Sequence, residues 1–368
     1  MAAPVEPPQP AFGRIPQIDV LRGLAALGVF VFHVSGVLGF SKKVLPPFDL
    51  FGRNWSTIPS VFSLGAVGVS LFFVVSGFCL ALQPLARGAT SVNLRRYYRD
   101  RVARIYPAYF IAVVFSAAVT TLLAVPWSGW ELVTFLAFFQ GFVHLWAFSF
   151  NGALWSMATE VQFYLVFPLL LVLLVRAGRH QFLLASVLAV VAARLAFTHA
   201  QSAAVVIGGI TTSAFLMNNL PGRLLEFVAG MVVANVFVVN RHRLWRWGSL
   251  AVLPAVALGL WARAFAPLWL VDPLVGLMFA MVLACAVCRF YFISEASLLA
   301  RFGRMSYSFF LLHFPVLALI AHWAGWLVEL PPYTRFFTLF ALGLLATLPL
   351  GLLLYRYVEI PMWRRFRI

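Results

Sequence analysis

Arg22 and His33 are the first residues of this chain whose types and spacing could do chemistry. Eleven residues at about 100° each leave only about 20° past three full turns, so on a helix both side chains project from one face. Their separation along the axis is roughly 16 Å, about half of a ~30 Å hydrocarbon core. The planar fork of arginine holds phosphate oxygens through charge-assisted hydrogen bonds. Histidine titrates near neutrality and serves as a general base. Together they suit a reaction that takes an anionic donor from the cytosol and uses it deep in the membrane. The structural alternative is a His33 bonded to a neighbouring helix and an Arg22 that snorkels to lipid phosphates.

Further candidates follow along the chain. The block NLRRYYRDRVARIYPAY, residues 93–109, carries five arginines and four tyrosines. It reads as a site for a phosphate-rich cytosolic ligand or as an anchor to anionic lipid. Arg101 and Arg104, three apart, share a helix face and can grip one ligand. Ser156 and Glu160 are at i and i+4, and Glu160 is placed to position a base or receive an acceptor hydroxyl, or else to pair with an interhelical arginine. Arg223 and Glu226 read as a structural ion pair. Ser306, Tyr307 and His313 precede Pro315, which frees a backbone carbonyl that needs another partner. They read as a polar cavity wall that meets substrate, or as helix–helix hydrogen bonds. Glu359 follows the last apolar run, within reach of basic residues. The other five histidines are given no role. Cys79, Cys285 and Cys288 read as small buried residues, with neither a disulfide nor a metal site expected.

The elements that must position these groups follow from composition. Of 368 residues, 63% are hydrophobic and 10% charged, and the mean hydropathy is +0.94. A soluble domain carries about a quarter of its residues as charges, so a soluble fold is excluded. The net charge of +16 then marks a cytoplasmic membrane face rather than nucleic acid. Residues 1–13 read as a disordered, proline-rich tail, and 14–368 as a single all-α integral membrane domain. Apolar runs near 21–40, 61–82, 105–125, 154–175, 181–198, 223–239, 249–265, 272–288, 305–326 and 336–355 predict a bundle of about ten transmembrane helices.

A weaker run at 132–148 contains Gln140, Gly141 and His144. If it does not cross, 20 of the 27 basic residues collect on the inside. If it crosses, only 12 do. The positive-inside rule therefore predicts a re-entrant or interfacial segment there, with both termini cytoplasmic.

These segments resemble the membrane acyltransferase-3 family. The resemblance runs through IDVLRGLAALGVFVFHVSG with Arg22 and His33, GVSLFFVVSGF at 68–78, and RVARIYPAY with Arg101 and Arg104. It continues through LWSMATEVQFYLVFPLL at 154–170, LLEFVAGMVVA at 224–234, GRMSYSFFLLHFPV at 303–316 and YRYVEIPMWRR at 355–365. Each motif is weak alone, but seven in order cover nearly the whole chain. The resemblance implies transfer of an acyl group, commonly acetyl from acetyl-CoA, to a hydroxyl of an extracytoplasmic or lipid-linked glycan, in a bacterial inner membrane. It implies that His33 is catalytic and that Arg22, Arg101 and Arg104 hold the donor. Some members append an outer domain that completes the transfer; this sequence shows none, which implies action alone or through a separate extracytoplasmic transferase. Two alternatives stay open: an acyltransferase for a small molecule or lipid, and a transporter or flippase, which would often show an inverted repeat that is not found here.

Overall fold

The computed structural model describes residues 12–38, 49–50, 53–54, 61–143, 146–199, 206–207, 210–290 and 292–366. The expected tail lies outside them except for its last residues, where the Phe12 ring packs 5.4 Å from Phe237. His144 also lies outside.

Long helices dominate, and each begins where the sequence supplies a start signal. Pro16 opens α1 (Pro16–Val37), its fixed φ suited to a first turn and Asp19 suited to the positive end of the helix dipole. After a 3₁₀ turn at Val61–Val67 comes α2 (Gly68–Ala86). Asn93 caps α3 (Leu94–Leu122) by accepting the Arg96 N–H at 3.0 Å. The basic block therefore forms the opening turns of the third long helix rather than a stretch in front of it. A capping box of Ser128 and Glu131 starts α4 (Gly129–Leu136). Then follow α5 (Trp155–His199), the short α6 (Thr212–Met217), α7 (Leu220–Val239), α8 (Arg241–Phe265), α9 (Leu268–Arg289), α10 (Leu298–Trp323) and α11 (Pro332–Leu354). A π-helical turn, Tyr355–Glu359, leads into α12 (Ile360–Phe366). Two antiparallel pairs of two-residue strands are the only sheet among the described residues.

Nine of these helical segments are long and apolar enough to cross a membrane. One of them, α5, breaks at Gly178, whose φ of 76° and ψ of 157° are open to glycine and costly for other residues. Its two halves cover the expected runs 154–175 and 181–198, so the ten predicted runs are all accounted for. Among the described residues of 132–143 and 146–148 there is no membrane-length helix. The eight residues of α4 extend about 12 Å, and a 3₁₀ turn, Phe139–Phe142, follows. Gln140, fully buried, ties this segment down by donating to the Tyr109 hydroxyl and to the Leu154 carbonyl, both at 3.1 Å.

Three prolines inside helices free carbonyls four residues earlier, and each carbonyl takes a side-chain donor from another part of the chain. Asn151 donates to Leu311 O at 3.0 Å, opposite Pro315. Tyr97 donates to Tyr164 O at 3.1 Å, opposite Pro168. Arg194 donates through Nε to Trp269 O at 2.7 Å, opposite Pro273. Close contact also joins α1 to α10, since a Cβ on Gly303 would lie 1.7 Å from Asp19 O. That contact is available to glycine alone, and small residues are how membrane helices approach closely.

Candidate active site

The approach of α1 to α10 fixes the relation between two sets of polar groups. The first surrounds a cavity walled by α1, α2, α3, α5 and α10. Arg22 comes from α1, Arg101 and Arg104 from α3, Glu160 and Tyr164 from α5, and Tyr307 from α10. Among the described residues, none of the three guanidiniums makes an ion pair. Buried Arg101 Nε has no hydrogen-bond partner there either. Arg104 is repelled by both Arg22 and Arg101, and Glu160 and Glu359 attract Arg22 only from beyond ion-pair distance.

Two acids near this cluster are held by hydroxyl groups. Glu160 Oε1 accepts from Ser76 Oγ at 3.1 Å and from the Tyr164 hydroxyl. Glu359, in the π-helical turn, accepts from Ser308 Oγ at 2.8 Å through Oε2. Three cations without a direct ion pair, facing Glu160 and Glu359 only at longer range, leave an excess of positive charge, which favours a polyanion with several oxygens.

The second set is a histidine pair. His33 Nδ1 and His313 Nε2 are 2.8 Å apart, although 280 residues separate them in sequence. His313 is fully buried, and its Nδ1 lies 2.6 Å from Phe310 O. A carbonyl only accepts, so His313 Nδ1 carries the proton. In the neutral ring its Nε2 is then an acceptor and His33 Nδ1 must donate to it. This assignment of protons follows from the bonding pattern and leaves His33 Nε2 with a free lone pair. The pair can therefore abstract a proton at His33 Nε2, with the resulting positive charge shared along a chain that ends on a backbone carbonyl.

Six of the candidate residues singled out in the sequence, Arg22, Arg101, Arg104, Ser156, Glu160 and Tyr307, thus meet at one cavity, and His33 and His313 meet each other outside its lining. Ser306 joins neither group: it is fully buried, and its hydroxyl has no partner among the described residues. Tyr307 spends its hydroxyl on Ile105 O at 2.9 Å. Cys79 corrects an expectation, because it is exposed in the cavity wall rather than buried. Ser76 and Tyr164 were missed, although Ser76 and Cys79, three apart within GVSLFFVVSGF and its continuation, share a helix face with spacing that could have marked them.

Other polar groups are structural. Arg223 binds Glu226 at 3.1 Å, as the sequence suggests, and also Asp272 at 2.8 Å. Asp272 in turn holds the completely buried Arg194 at 2.8 Å, and Arg194 donates as well to Gly222 O and Leu268 O. Nothing in the spacing of polar residues marked Arg194. A lone arginine in the apolar run 181–198 was nonetheless a signal under the rule that intramembrane charges are paired.

Comparison with known proteins agrees with this arrangement. The chain is 28% identical over 336 residues to "Acyltransferase MdmB" of Streptomyces mycarofaciens, covering 84% of this chain and 80% of that protein. It is 29% identical over 159 residues to "Putative acetyltransferase ORF330" of Acidianus two-tailed virus, which is 42% of this chain and 40% of that one. It is 26% identical over 178 residues to "Putative O-acetyltransferase SACOL0978" of Staphylococcus aureus, which is 44% of this chain and 25% of that protein. No solved structure matches the chain. A family model described as "Acyltransferase domain" matches residues 15–356. An integral membrane chain matched over nearly its whole length belongs to that family, and it is a membrane acyltransferase of the acyltransferase-3 type.

Proposed function

We propose that this protein is an O-acyltransferase, with acetyl the preferred group, that moves an acyl group from cytosolic acyl-CoA to a hydroxyl of a cell-surface or lipid-linked polysaccharide. The observation that carries the reading is the cavity with Arg22, Arg101 and Arg104 on its walls and no ion pair on any of them among the described residues. Coenzyme A offers phosphates to such a cluster from the side on which the positive-inside rule places the N-terminus. The membrane is then a bacterial inner membrane with both termini cytoplasmic.

In this reading His33 Nε2 takes the proton of the acceptor hydroxyl as its oxygen attacks the thioester carbonyl. The C–S bond breaks, and the coenzyme A thiolate takes the proton back from His33. His313 holds the His33 ring in the required tautomer and shares its charge in between. Glu160, with Ser76 and Tyr164 on it, balances the arginines and orients the donor. Tyr307 forms part of the cavity wall next to the thioester.

Native Cys79 supplies an acceptor-independent test. With Cys285→Ser and Cys288→Ser in place, coenzyme A is expected to protect Cys79 from alkylation in the purified protein. Radiolabelled acetyl-CoA added to membranes is expected to label a glycan fraction with wild type and not with His33→Ala. Unprotected Cys79, or glycan labelling that survives His33→Ala, would sink the reading.

A further inference from the structure

Phe72 and Phe310 both line the arginine cavity. Their rings meet edge to face with centroids 5.6 Å apart. On α10, Tyr307, Phe310 and His313 follow at steps of three residues, so Phe310 stands one turn before His313. The Phe310 ring lies 5.5 Å from the His313 ring, and Phe310 O is the carbonyl that fixes the tautomer of His313. Neither histidine lines the cavity. Behind the two rings, Phe30 and Phe309 are completely buried and pack around His313, with centroids 6.1 Å from it in each case. His33 nonetheless keeps part of its surface exposed.

From this layering we propose that Phe72 and Phe310 form a septum between the donor cavity and His33, and that they determine specificity by admitting only a short acyl group to the histidine pair. The inference rests on the proposed donor site for its specificity part and on geometry alone for the septum. A ring pair in contact closes the passage, so a thioester reaches His33 only when one ring swings aside. Beyond it, Phe30 and Phe309 pack on His313 and the rings of Phe32 and Phe314 lie 5.1 Å from His33, so a long chain must displace aromatic rings that a short acyl group passes. The septum also keeps the part-exposed His33 from joining the arginine cavity in one open path.

Thiol labelling of the full-length protein in sealed vesicles tests the septum without catalysis. The face from which a membrane-impermeant maleimide modifies native Cys79 defines the cavity side. In a second protein, His33→Cys is placed on a background of Cys79→Ser, Cys285→Ser and Cys288→Ser. Its labelling from the cavity side should be slow, and should rise about tenfold or more on adding Phe72→Ala or Phe310→Ala. The milder Phe72→Leu serves if an alanine variant fails to fold. Fast cavity-side labelling with both rings present, or a rate unchanged by removing either, overturns the septum. With His33 intact, Phe72→Ala should raise octanoyl-CoA use relative to acetyl-CoA use by about tenfold. An unchanged ratio overturns the specificity claim, whereas no turnover of either thioester counts against the donor reading and leaves labelling to decide the septum.

Discussion

Replacing Arg22, Arg101 or Arg104 singly by alanine separates a ligand-binding arginine from a structural one. None of the three has an ion pair to lose among the described residues, and Arg104 already stands under the repulsion of the other two. Their removal is therefore expected to leave the melting temperature unchanged or slightly raised. The loss falls on the bound anion instead. A hydrogen bond to a charged group is worth about 1.5–3 kcal/mol, which converts to roughly a 10- to 150-fold weaker Kd. Calorimetric titration of the detergent-purified protein with coenzyme A reads this directly. Repeating it at higher salt is expected to cost the wild type more affinity than any variant, since the wild type has one more charge to screen. A Kd within about twofold of wild type for all three variants, or a collapse of the melting temperature, would refute the assignment of the cavity to a polyanion.

Two further outcomes follow from the same geometry. His313→Ala removes the partner of His33 Nδ1 at 2.8 Å, so acetyl transfer from labelled acetyl-CoA should fall roughly 10- to 150-fold. His313→Gln, which keeps an acceptor, should recover part of it, and an alanine variant with wild-type kcat would remove His313 from the mechanism. Arg194→Ala orphans Trp269 O and takes one bond each from Leu268 O, Gly222 O and Asp272. It should cost about 3–5 kcal/mol of stability, seen as a large fall in melting temperature with coenzyme A affinity unchanged in the folded fraction; an unaltered melt would refute a structural role.

Much of this was legible in the sequence because helical spacing is a local property. Arg22 with His33, Arg101 with Arg104, and Arg223 with Glu226 lie on faces that the 3.6-residue repeat alone defines. Pro315 announced an orphan carbonyl before any partner was visible. What spacing does not encode is which faces abut. His313 reads as a wall residue for substrate, because nothing within the ninth run says that it meets His33 from the first. Cys79 reads as buried in the sequence because an apolar run conceals a cavity that opens only when five helices are assembled. The tyrosines of the basic block read as part of a ligand site, yet Tyr97 and Tyr98 donate to Tyr164 O and Leu165 O. Their partners are carbonyls of another helix, one of them freed by Pro168, invisible from their own neighbourhood.

The proline–donor pairs carry an evolutionary consequence. Pro315 with Asn151, Pro168 with Tyr97 and Pro273 with Arg194 are each a two-residue unit, because the proline creates the vacancy that the distant donor fills. A lineage that loses the donor while keeping the proline inherits an unpaired carbonyl in hydrocarbon, and one that loses the proline inherits a donor with no acceptor. Drift at either position is thus tied to drift at the other, and the prolines of α5, α9 and α10 are expected to come and go among relatives together with their donors rather than as independent substitutions.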